Sequence, residues 1–228
     1  MKSLFNVLHL FFPKICITCN TQLLTSEKLI CTQCRHDLPI ICYKDAKDNK
    51  IKNAFLGRIP IEKATSFLFY RKEGKTKKII HSLKYKGNQE VGIFIGQWFG
   101  SILKESNEFN NIDHIVPVPL HKKKLKQRGY NQLTTFGKNL SKQLNSNYTP
   151  DVLIKTFASK TQTFKQRFER FSNSDTKFNI VDLNIFRNKH ILLIDDVITT
   201  GATLEACCKE LLRVENIKIS IATMAYTE

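Results

Sequence analysis

The sequence predicts an α/β domain built on a parallel sheet with helices on both faces, joined to a small N-terminal module that contains four cysteines. Two observations carry the α/β prediction. Segments with strand character alternate with amphipathic segments of helical length along most of the chain. The segment Ile191–Ile194 is continuously apolar, which is typical of a strand that is buried on both faces.

Composition excludes several classes of protein. The chain has 228 residues, of which 42% are hydrophobic, so it can bury a core and is not disordered throughout. No apolar run approaches the ~20 residues that a membrane-spanning helix needs. Lysine and arginine outnumber the acids by 36 to 20, a net charge of +16. This excess favours an anionic partner such as nucleic acid, a phosphorylated metabolite or a membrane surface.

The N-terminal residues place one lysine before an apolar stretch, as a secretory signal does. Asn6 and His9 interrupt that stretch, and no small-residue cleavage site follows it. We therefore predict that Leu4–Phe12 is a short amphipathic segment that packs against the rest of the chain, and that the protein is cytoplasmic.

Four cysteines form two closely spaced pairs, Cys16-x-x-Cys19 and Cys31-x-x-Cys34. Two such knuckles complete a tetrahedral site of four thiolates, so the spacing predicts a zinc ribbon. Two redox pairs or two disulfides are the alternative. Because all four lie within 19 residues rather than along the whole chain, zinc is favoured. Four thiolates leave no position for a substrate, so the Zn²⁺ would be structural and would supply the folding energy of the module.

The polar segment Lys44–Lys52 predicts a linker or hairpin tip between two units. We therefore expect residues 1–50 to hold the N-terminal segment and the zinc module, and residues 51–228 to form the larger domain. Of the remaining cysteines, Cys42 has no assigned role, and the neighbouring pair Cys207 and Cys208 is expected in the core of a helix.

The larger domain is predicted to contain four strands, four helices and one short basic amphipathic piece at Phe164–Phe171. Two prolines end the second strand abruptly, since proline cannot continue a central ladder. The predicted strands are Ala64–Tyr70, Asp113–Leu120, His190–Val197 and Ile217–Ala225, and the predicted helices are Thr76–Tyr85, Glu90–Leu103, Asn131–Leu144 and Ala202–Val214.

The segment Ile191–Thr203 carries the clearest chemical signal. A buried strand ends in Asp195 and Asp196, and a Thr-Thr-Gly-Ala-Thr turn then opens a helix. Ligands of open α/β sheets bind at the carboxyl ends of strands, and the free N–H groups of a helix start favour a phosphate. Gly201 allows a close approach of the backbone, and the carboxylates can take ribose hydroxyls or a Mg²⁺ ion. The alternative is an ordinary threonine N-cap with incidental acids.

This segment resembles the phosphoribosyl pyrophosphate (PRPP) signature of type I phosphoribosyltransferases. The resemblance implies a type I phosphoribosyltransferase-like fold for the larger domain. It implies that the loop holds the 5′-phosphate through Thr199, Thr200, Gly201, Ala202 and Thr203. It also implies that the acidic pair contacts the ribose hydroxyls, directly or through water and Mg²⁺.

Further motifs extend the resemblance to nearly the whole chain. After the cysteine module come, in order, Leu83–Gly87 (LKYKG), Val116–Leu120 (VPVPL), Arg128–Gln132 (RGYNQ) and Thr161–Thr163 (TQT). In this order they resemble the ComF family, which comprises competence-associated proteins of bacteria and the related GntX-type proteins. The resemblance implies that the Pro117, Val118, Pro119 and Leu120 strand end lines the pyrophosphate subsite.

Most of the excess positive charge lies in three runs. Arg71–Lys86, Lys122–Arg128 and Lys155–Arg170 carry net charges of +6, +5 and +4. Lys84 and Arg128 are the cations we expect at the pyrophosphate, because cations offset the charge on a leaving diphosphate. The surplus favours a polyanion such as single-stranded DNA, with Lys122, Lys123, Lys124 and Lys126 as candidate contacts. A solvated charged face is the alternative.

Three functions remain open from the sequence. The first is transfer of a phosphoribosyl group from PRPP with release of pyrophosphate, in a protein associated with DNA uptake. The second is a PRPP-gated factor that binds single-stranded DNA, with other competence proteins as further partners. The third, a purely structural zinc-linked protein, is disfavoured by the intact phosphate loop. No side chain in the sequence is identifiable as a general base, and nothing identifies an acceptor.

Overall fold

A computed structural model describes residues 13–41, 49–157 and 176–227 of the chain. Its centre is a parallel sheet of five strands in the order β1-β7-β6-β2-β3. These strands are β1 (Ala64–Tyr70), β2 (His114–Pro117), β3 (Asn147–Tyr148), β6 (His190–Ile198) and β7 (Lys218–Thr227). The described helices are α1 (Thr32–His36), α2 (Lys50–Asn53), α3 (Lys75–Tyr85), α4 (Glu90–Glu105), α5 (Lys122–Arg128), α6 (Leu133–Leu144) and α7 (Ala202–Leu211), with a 3₁₀ turn at Asn184–Phe186.

The central strand β6 confirms the predicted burial on two faces. Ile191, Leu192, Leu193 and Ile194 are all fully buried. Since neighbouring residues of a strand point to opposite faces, both faces of the sheet must be covered at this strand. The predicted parallel sheet with helices is therefore confirmed, and β6 lies between β7 and β2.

Helices α4 and α6 pack closely against each other beside the sheet. Gly96 and Gly100 of α4 face α6, where an added Cβ would lie 2.8 Å from the Phe136 carbonyl oxygen and 2.7 Å from Gln143. Only glycine allows the two backbones to approach to this distance. This packing holds α6, which begins directly after Gln132, against β2 and β6.

The cysteine module is joined to the edge of the sheet by main-chain hydrogen bonds. The Ile41 N–H donates to the Phe67 carbonyl at 2.9 Å, and the Phe69 N–H donates to the Pro39 carbonyl at 2.9 Å. Leu29 of the module belongs to the same hydrophobic core as the large domain. The division at residue 50 stays a prediction.

The predicted linker is partly helical. Asn49 caps α2 with its side chain, which accepts from the N–H groups of Ile51 and Lys52 at 3.1 and 3.0 Å. Ile51 is fully buried. The cap and this one buried side chain stabilise a turn of helix that the polar composition did not predict, and the role of the segment as a linker stays a prediction.

A separate antiparallel pair consists of β4 (Leu153–Phe157) and β5 (Thr176–Ile180), and β5 lies against α7. Several predictions fall outside the described residues. These are the amphipathic segment Leu4–Phe12, Cys42, the Thr161–Thr163 motif, the piece Phe164–Phe171 and the basic run beyond Phe157. In the part of the chain that is described, no helix has both the length and the apolar character needed to cross a membrane.

Candidate functional site

The candidate site lies where β6 and β2 end side by side at the carboxyl edge of the sheet. Pro117 is paired with Ile194 in the ladder, and the Val118 N–H donates to the Ile194 carbonyl at 2.9 Å. The chain that follows β2 therefore runs beside Asp195 and Asp196. The short β2 ends at the first proline of the Pro-Val-Pro segment, three residues before the predicted end at Leu120, because a proline cannot continue the ladder.

Asp196 is the centre of a network of polar side chains from three elements. Its carboxylate is 9% exposed and accepts from Lys84 Nζ at 2.7 Å and from Gln132 Nε2 at 2.8 Å. Arg128 donates in turn to Gln132 Oε1 at 2.8 Å. Lys84 thus contacts the carboxylate directly, and Gln132 connects Arg128 to the same carboxylate. Charge-assisted bonds of this kind hold a buried carboxylate in one orientation.

Asp195 has a different environment. Its Oδ1 accepts from the Asp196 N–H at 2.8 Å. Desolvation at the sheet edge and the neighbouring Asp196 carboxylate raise the pKa of Asp195 to about 7, although Lys84 and Lys155 of β4 act in the opposite direction. Two adjacent carboxylates with different environments result: Asp196 is held by a cation, and Asp195 changes its charge near pH 7.

The raised pKa of Asp195 predicts a pH dependence of stability in protein free of divalent ions. Ionisation of this carboxyl is less favourable in the folded protein than in the unfolded chain, where its pKa is near the usual 3.8. The folded state therefore binds the proton more tightly, and this contribution to the free energy of unfolding falls as pH rises from 3.8 to about 7. Asp195→Asn should be more stable than wild type at about pH 8 and lose that advantage near pH 4. Urea unfolding between about pH 4 and about pH 8 measures the free energy of unfolding of the variant and of the wild type.

The exposed Asp151 offers a matched control, since Asp151→Asn makes the same chemical change away from the site. Its stability should follow the wild-type pH curve. Curves for wild type and Asp195→Asn that stay parallel across the whole range would contradict the assignment.

The loop Thr199–Thr203 leads directly into α7. Thr199, Thr200, Ala202 and Thr203 are exposed, and Gly201 is buried with a φ of 75°. The N-cap of α7 is Gly201 and makes no side-chain cap, so the threonine N-cap that the sequence left open is not formed. The Ala202 N–H is 3.4 Å from Thr200 Oγ1. The exposed start of this ten-residue helix therefore has no side-chain cap from its N-cap residue, an arrangement that favours an anion.

A small cationic cavity lies next to the network. Its volume is about 240 Å³, and Lys84, Lys124 and Arg128 contribute positive charge to it. The Arg128 guanidinium lies 5.3 Å from the centre of the Tyr85 ring, which is 66% exposed. The remaining lining residues are Gly87, Gln127 and Tyr130.

The cavity therefore brings together the two cations that the sequence singled out, 44 positions apart in their numbering (128 − 84). The segment Pro117–Leu120 is not among its lining residues, so the two parts of the expected pyrophosphate subsite do not share this cavity. Lys123 and Lys126 are exposed on α5, next to Lys124. The side chain of Lys122 is outside the description.

The four predicted cysteine ligands converge. Their Sγ atoms all lie within 4.8 Å of one another, and the Cys19 and Cys31 sulfurs are 3.7 Å apart. Sulfurs at the corners of a zinc tetrahedron are about 3.8 Å apart, since Zn–S bonds are about 2.3 Å long. The N–H groups of Cys31 and Cys34 donate to the sulfurs of Cys16 and Cys31. The cluster can hold a metal such as zinc, and its four-sulfur donor set and spacing fit that ion.

The module is tied to α3 by two lysines. Lys78 Nζ donates to the Thr18 carbonyl at 2.6 Å, and Lys75 Nζ pairs with Asp37 at 2.6 Å. Helix α3 carries Lys84 in its last turn. The other predicted pair, Cys207 and Cys208, is fully buried in α7 as expected, and burial raises the pKa of Cys208 to about 12.

Sequence reasoning missed several residues that touch the candidate site. Gln132 was noted only as part of the RGYNQ motif, although a polar side chain next to a predicted helix start was a usable signal. Phe55 and Arg58 contact the candidate phosphate loop, and no local pattern marks them. Lys155 was counted in a basic run without a role.

Comparison with known proteins agrees with this geometry. Residues 134–227 match the family described as "Phosphoribosyl transferase domain". The chain is 28% identical over 138 residues to the DNA utilization protein YhgH of Escherichia coli strain K12, covering 59% of this chain and 60% of that one. It is 32% identical over 119 residues to competence protein F of Haemophilus influenzae (51% and 52%), and 25% identical over 207 residues to competence protein ComFC of Bacillus subtilis (87% and 78%).

The resemblance to the ComF family is confirmed. The match to the Escherichia coli relative covers 60% of its length, so this chain spans less than two thirds of that relative. Among solved structures, adenine phosphoribosyltransferase from Thermoanaerobacter pseudethanolicus matches with a TM-score of 0.41 and 16% identity, covering 66% of this chain and 73% of that one. The segment that matches the phosphoribosyl transferase family, residues 134–227, contains β6, the acidic pair and the candidate phosphate loop.

Proposed function

We propose that this ComF-family chain binds PRPP at the carboxyl edge of its sheet and transfers the phosphoribosyl group to an acceptor. The observation that carries the proposal is the convergence of Lys84 and Gln132 on Asp196, next to the open N-terminus of α7. In the reaction the bond from the anomeric carbon to the pyrophosphate oxygen breaks with its electron pair leaving on pyrophosphate. A bond to the acceptor forms and the acceptor loses a proton.

The residues divide into three groups by the part of PRPP that each would hold. The N–H groups and hydroxyls of Thr199–Thr203 would bind the 5′-phosphate, because the positive end of the α7 dipole favours an anion there. Asp195 and Asp196 would accept from the ribose hydroxyls. Lys84 and Arg128 would offset the charge of the pyrophosphate within the cationic cavity.

Carboxylate oxygens are suitable ligands for Mg²⁺, which usually keeps its waters and binds one or two carboxylates together with substrate phosphates. The pair Asp195 and Asp196 beside a cationic phosphate cavity fits that pattern. When bound with PRPP, Mg²⁺ would add positive charge at the leaving pyrophosphate. The protein's own part is to hold Asp196 in position through Lys84 and Gln132.

Titration calorimetry with PRPP, with and without Mg²⁺, tests the binding step. Release of pyrophosphate in the presence of purine bases, pyrimidine bases and small amines then tests transfer. Binding together with release identifies an enzyme, and binding without release supports a PRPP sensor. Absence of heat with PRPP in both buffers would contradict the proposal.

A second candidate function is a PRPP-gated factor that binds single-stranded DNA, and the printed names of the relatives, which refer to competence and DNA utilization, support it. A groove of about 1160 Å³ between the cysteine module and α3 is lined by five lysines. It meets the cationic cavity at Lys86–Gly87. The lysines are Lys72, Lys75, Lys77, Lys78 and Lys86.

This basic surface holds more cations than one PRPP molecule requires, and it borders the candidate PRPP site at Lys86–Gly87. A role beside other competence proteins in the cytoplasm belongs to this second candidate. The gathering of four cysteines in one metal-sized cluster supports that compartment, since secreted proteins more usually use cysteines in disulfides.

Neutralising the exposed lysines of the groove provides a prediction for the second candidate. The triple variant Lys72→Gln, Lys77→Gln and Lys86→Gln should weaken binding of a single-stranded oligonucleotide. It should also reduce the steepness of the plot of log K against log salt concentration by about two to three. Fluorescence anisotropy over a range of salt concentrations measures both. The control Lys104→Gln/Lys142→Gln removes exposed lysines that do not line the groove. Binding that does not depend on salt, or an equal loss in the control, would count against DNA binding here.

A further inference from the structure

The turn that follows α2 lies directly against the candidate phosphate loop. Phe55 is fully buried, and a Cβ added to Gly201 would lie 2.9 Å from its ring. The loop therefore sits on the Phe55 ring, and glycine is required both by this contact and by its positive φ. A segment before β1, about 145 positions earlier in the chain, thus forms the floor of the loop.

Arg58 makes the polar contacts from this turn to the loop. Its guanidinium donates to the Ala54 carbonyl at 3.0 Å, to the Thr200 carbonyl at 3.2 Å, and to the Glu205 carboxylate. Because the C=O and N–H of a trans peptide point in opposite directions, holding the Thr200 carbonyl directs the Gly201 N–H away from Arg58. Arg58 therefore helps to orient the peptide at the tip of the loop.

The negative charge of Glu205 opposes the binding of an anion at this loop. It lies in the first turn of α7, and its N–H donates to the Gly201 carbonyl at 2.9 Å. Its side chain is only 17% exposed, so water screens its charge poorly. A carboxylate in the first turn of a helix repels a phosphate that binds at the start of that helix. Among the residues that the structure describes, the Glu205 carboxylate has two cationic partners. Arg58 is one, and the other is Lys209, whose side chain is 61% exposed and whose Nζ lies 2.7 Å from the carboxylate.

We propose that Arg58 is a positioning residue of the phosphate loop, which cancels the charge of Glu205 and so allows a sugar phosphate to bind. The inference rests on the proposed function and deepens it. It assigns a role in phosphate binding to a residue outside the matched phosphoribosyl transferase domain.

A double-mutant cycle on Arg58 and Glu205 tests this role with PRPP and with ribose 5-phosphate, which lacks the pyrophosphate. Arg58→Gln should weaken both ligands by about tenfold, because it leaves the Glu205 charge beside the phosphate. Glu205→Gln alone should bind at least as tightly as wild type. The double variant should recover to within about threefold of wild type, and Arg58→Lys should retain most of the affinity.

Thermal unfolding of each unliganded variant separates this role from a general loss of structure. The control Arg187→Gln removes an exposed arginine paired with Glu215 and should leave binding unchanged. Wild-type affinity in Arg58→Gln overturns the inference, and so does a double variant that binds as weakly as Arg58→Gln. A wild-type protein that binds neither ligand overturns the proposed function itself, so the two failures are distinguishable.

Discussion

Replacing Asp196 by asparagine is expected to weaken PRPP binding by about 100-fold, since each lost hydrogen bond to a charged group contributes about 1.5–3 kcal/mol. Asn at this position keeps one acceptor oxygen but loses the charge that Lys84 faces at 2.7 Å. Lys84 is 21% exposed, so the variant should also lose about 1 to 2 kcal/mol of stability. Calorimetric titration gives the affinity, and urea unfolding gives the stability.

Two further variants make the Asp196 result specific. Asp151→Asn changes an exposed aspartate in the same chemical way and should bind PRPP as wild type does. Gln132→Leu removes the donor to Asp196 while leaving the carboxylate charged, so its loss of affinity should be smaller. If Asp196→Asn folds as stably as the Asp151 control and binds PRPP as tightly as wild type, the acidic pair is not the ribose site.

The second large effect is expected at the cysteine cluster. Cys34 is 3% exposed, and its replacement by serine should lower the bound zinc from about one ion per chain to about none. A small module of this kind depends on its metal for folding, so limited proteolysis should then cut within residues 13–41. Metal analysis by atomic emission and the proteolysis pattern measure the two outcomes. Treatment with a chelator should reproduce them in the wild-type protein.

The buried Cys208 supplies the control for the metal experiment. Cys208→Ala removes a thiol that lies in α7, outside the cluster, and should retain the full zinc content. A Cys34→Ser protein that keeps its metal would exclude the four-thiolate site. So would a wild-type protein without metal whose four cysteines fail to react with a thiol reagent, since that result indicates disulfides.

The elements that could be predicted are those whose signals are local in the sequence. The continuous apolar run of β6, the acids that end it and the glycine that opens α7 are neighbours, so one short segment specifies strand, carboxylates and helix start together. The cysteine spacing likewise specifies a four-sulfur cluster, because a two-residue gap allows two thiolates to chelate one ion. The prolines of β2 are also a local signal for a strand end, although β2 ends at the first of them, three residues before the predicted end at Leu120.

The contacts that shape the site could not be predicted in the same way. In the sequence, Lys84 lies 112 positions from Asp196, and Gln132 lies 64 positions from it. They meet because the last turn of α3, which carries Lys84, and the N-cap of α6, which is Gln132, both contact Asp196 on β6. Sequence patterns report which face of an element is buried, but not which other element covers it.

The sequence by itself determined the chemistry that is available: a phosphate loop after an acidic pair, four thiolates at zinc spacing, and a large surplus of lysine and arginine. The tertiary structure alone decided how those groups are used. It paired Lys84 with Asp196, gathered Lys84 and Arg128 around one cavity, and set Arg58 against Thr200 and Glu205. The physical reason is that local signals depend on neighbours in the chain, whereas charge compensation at a site depends on neighbours in space.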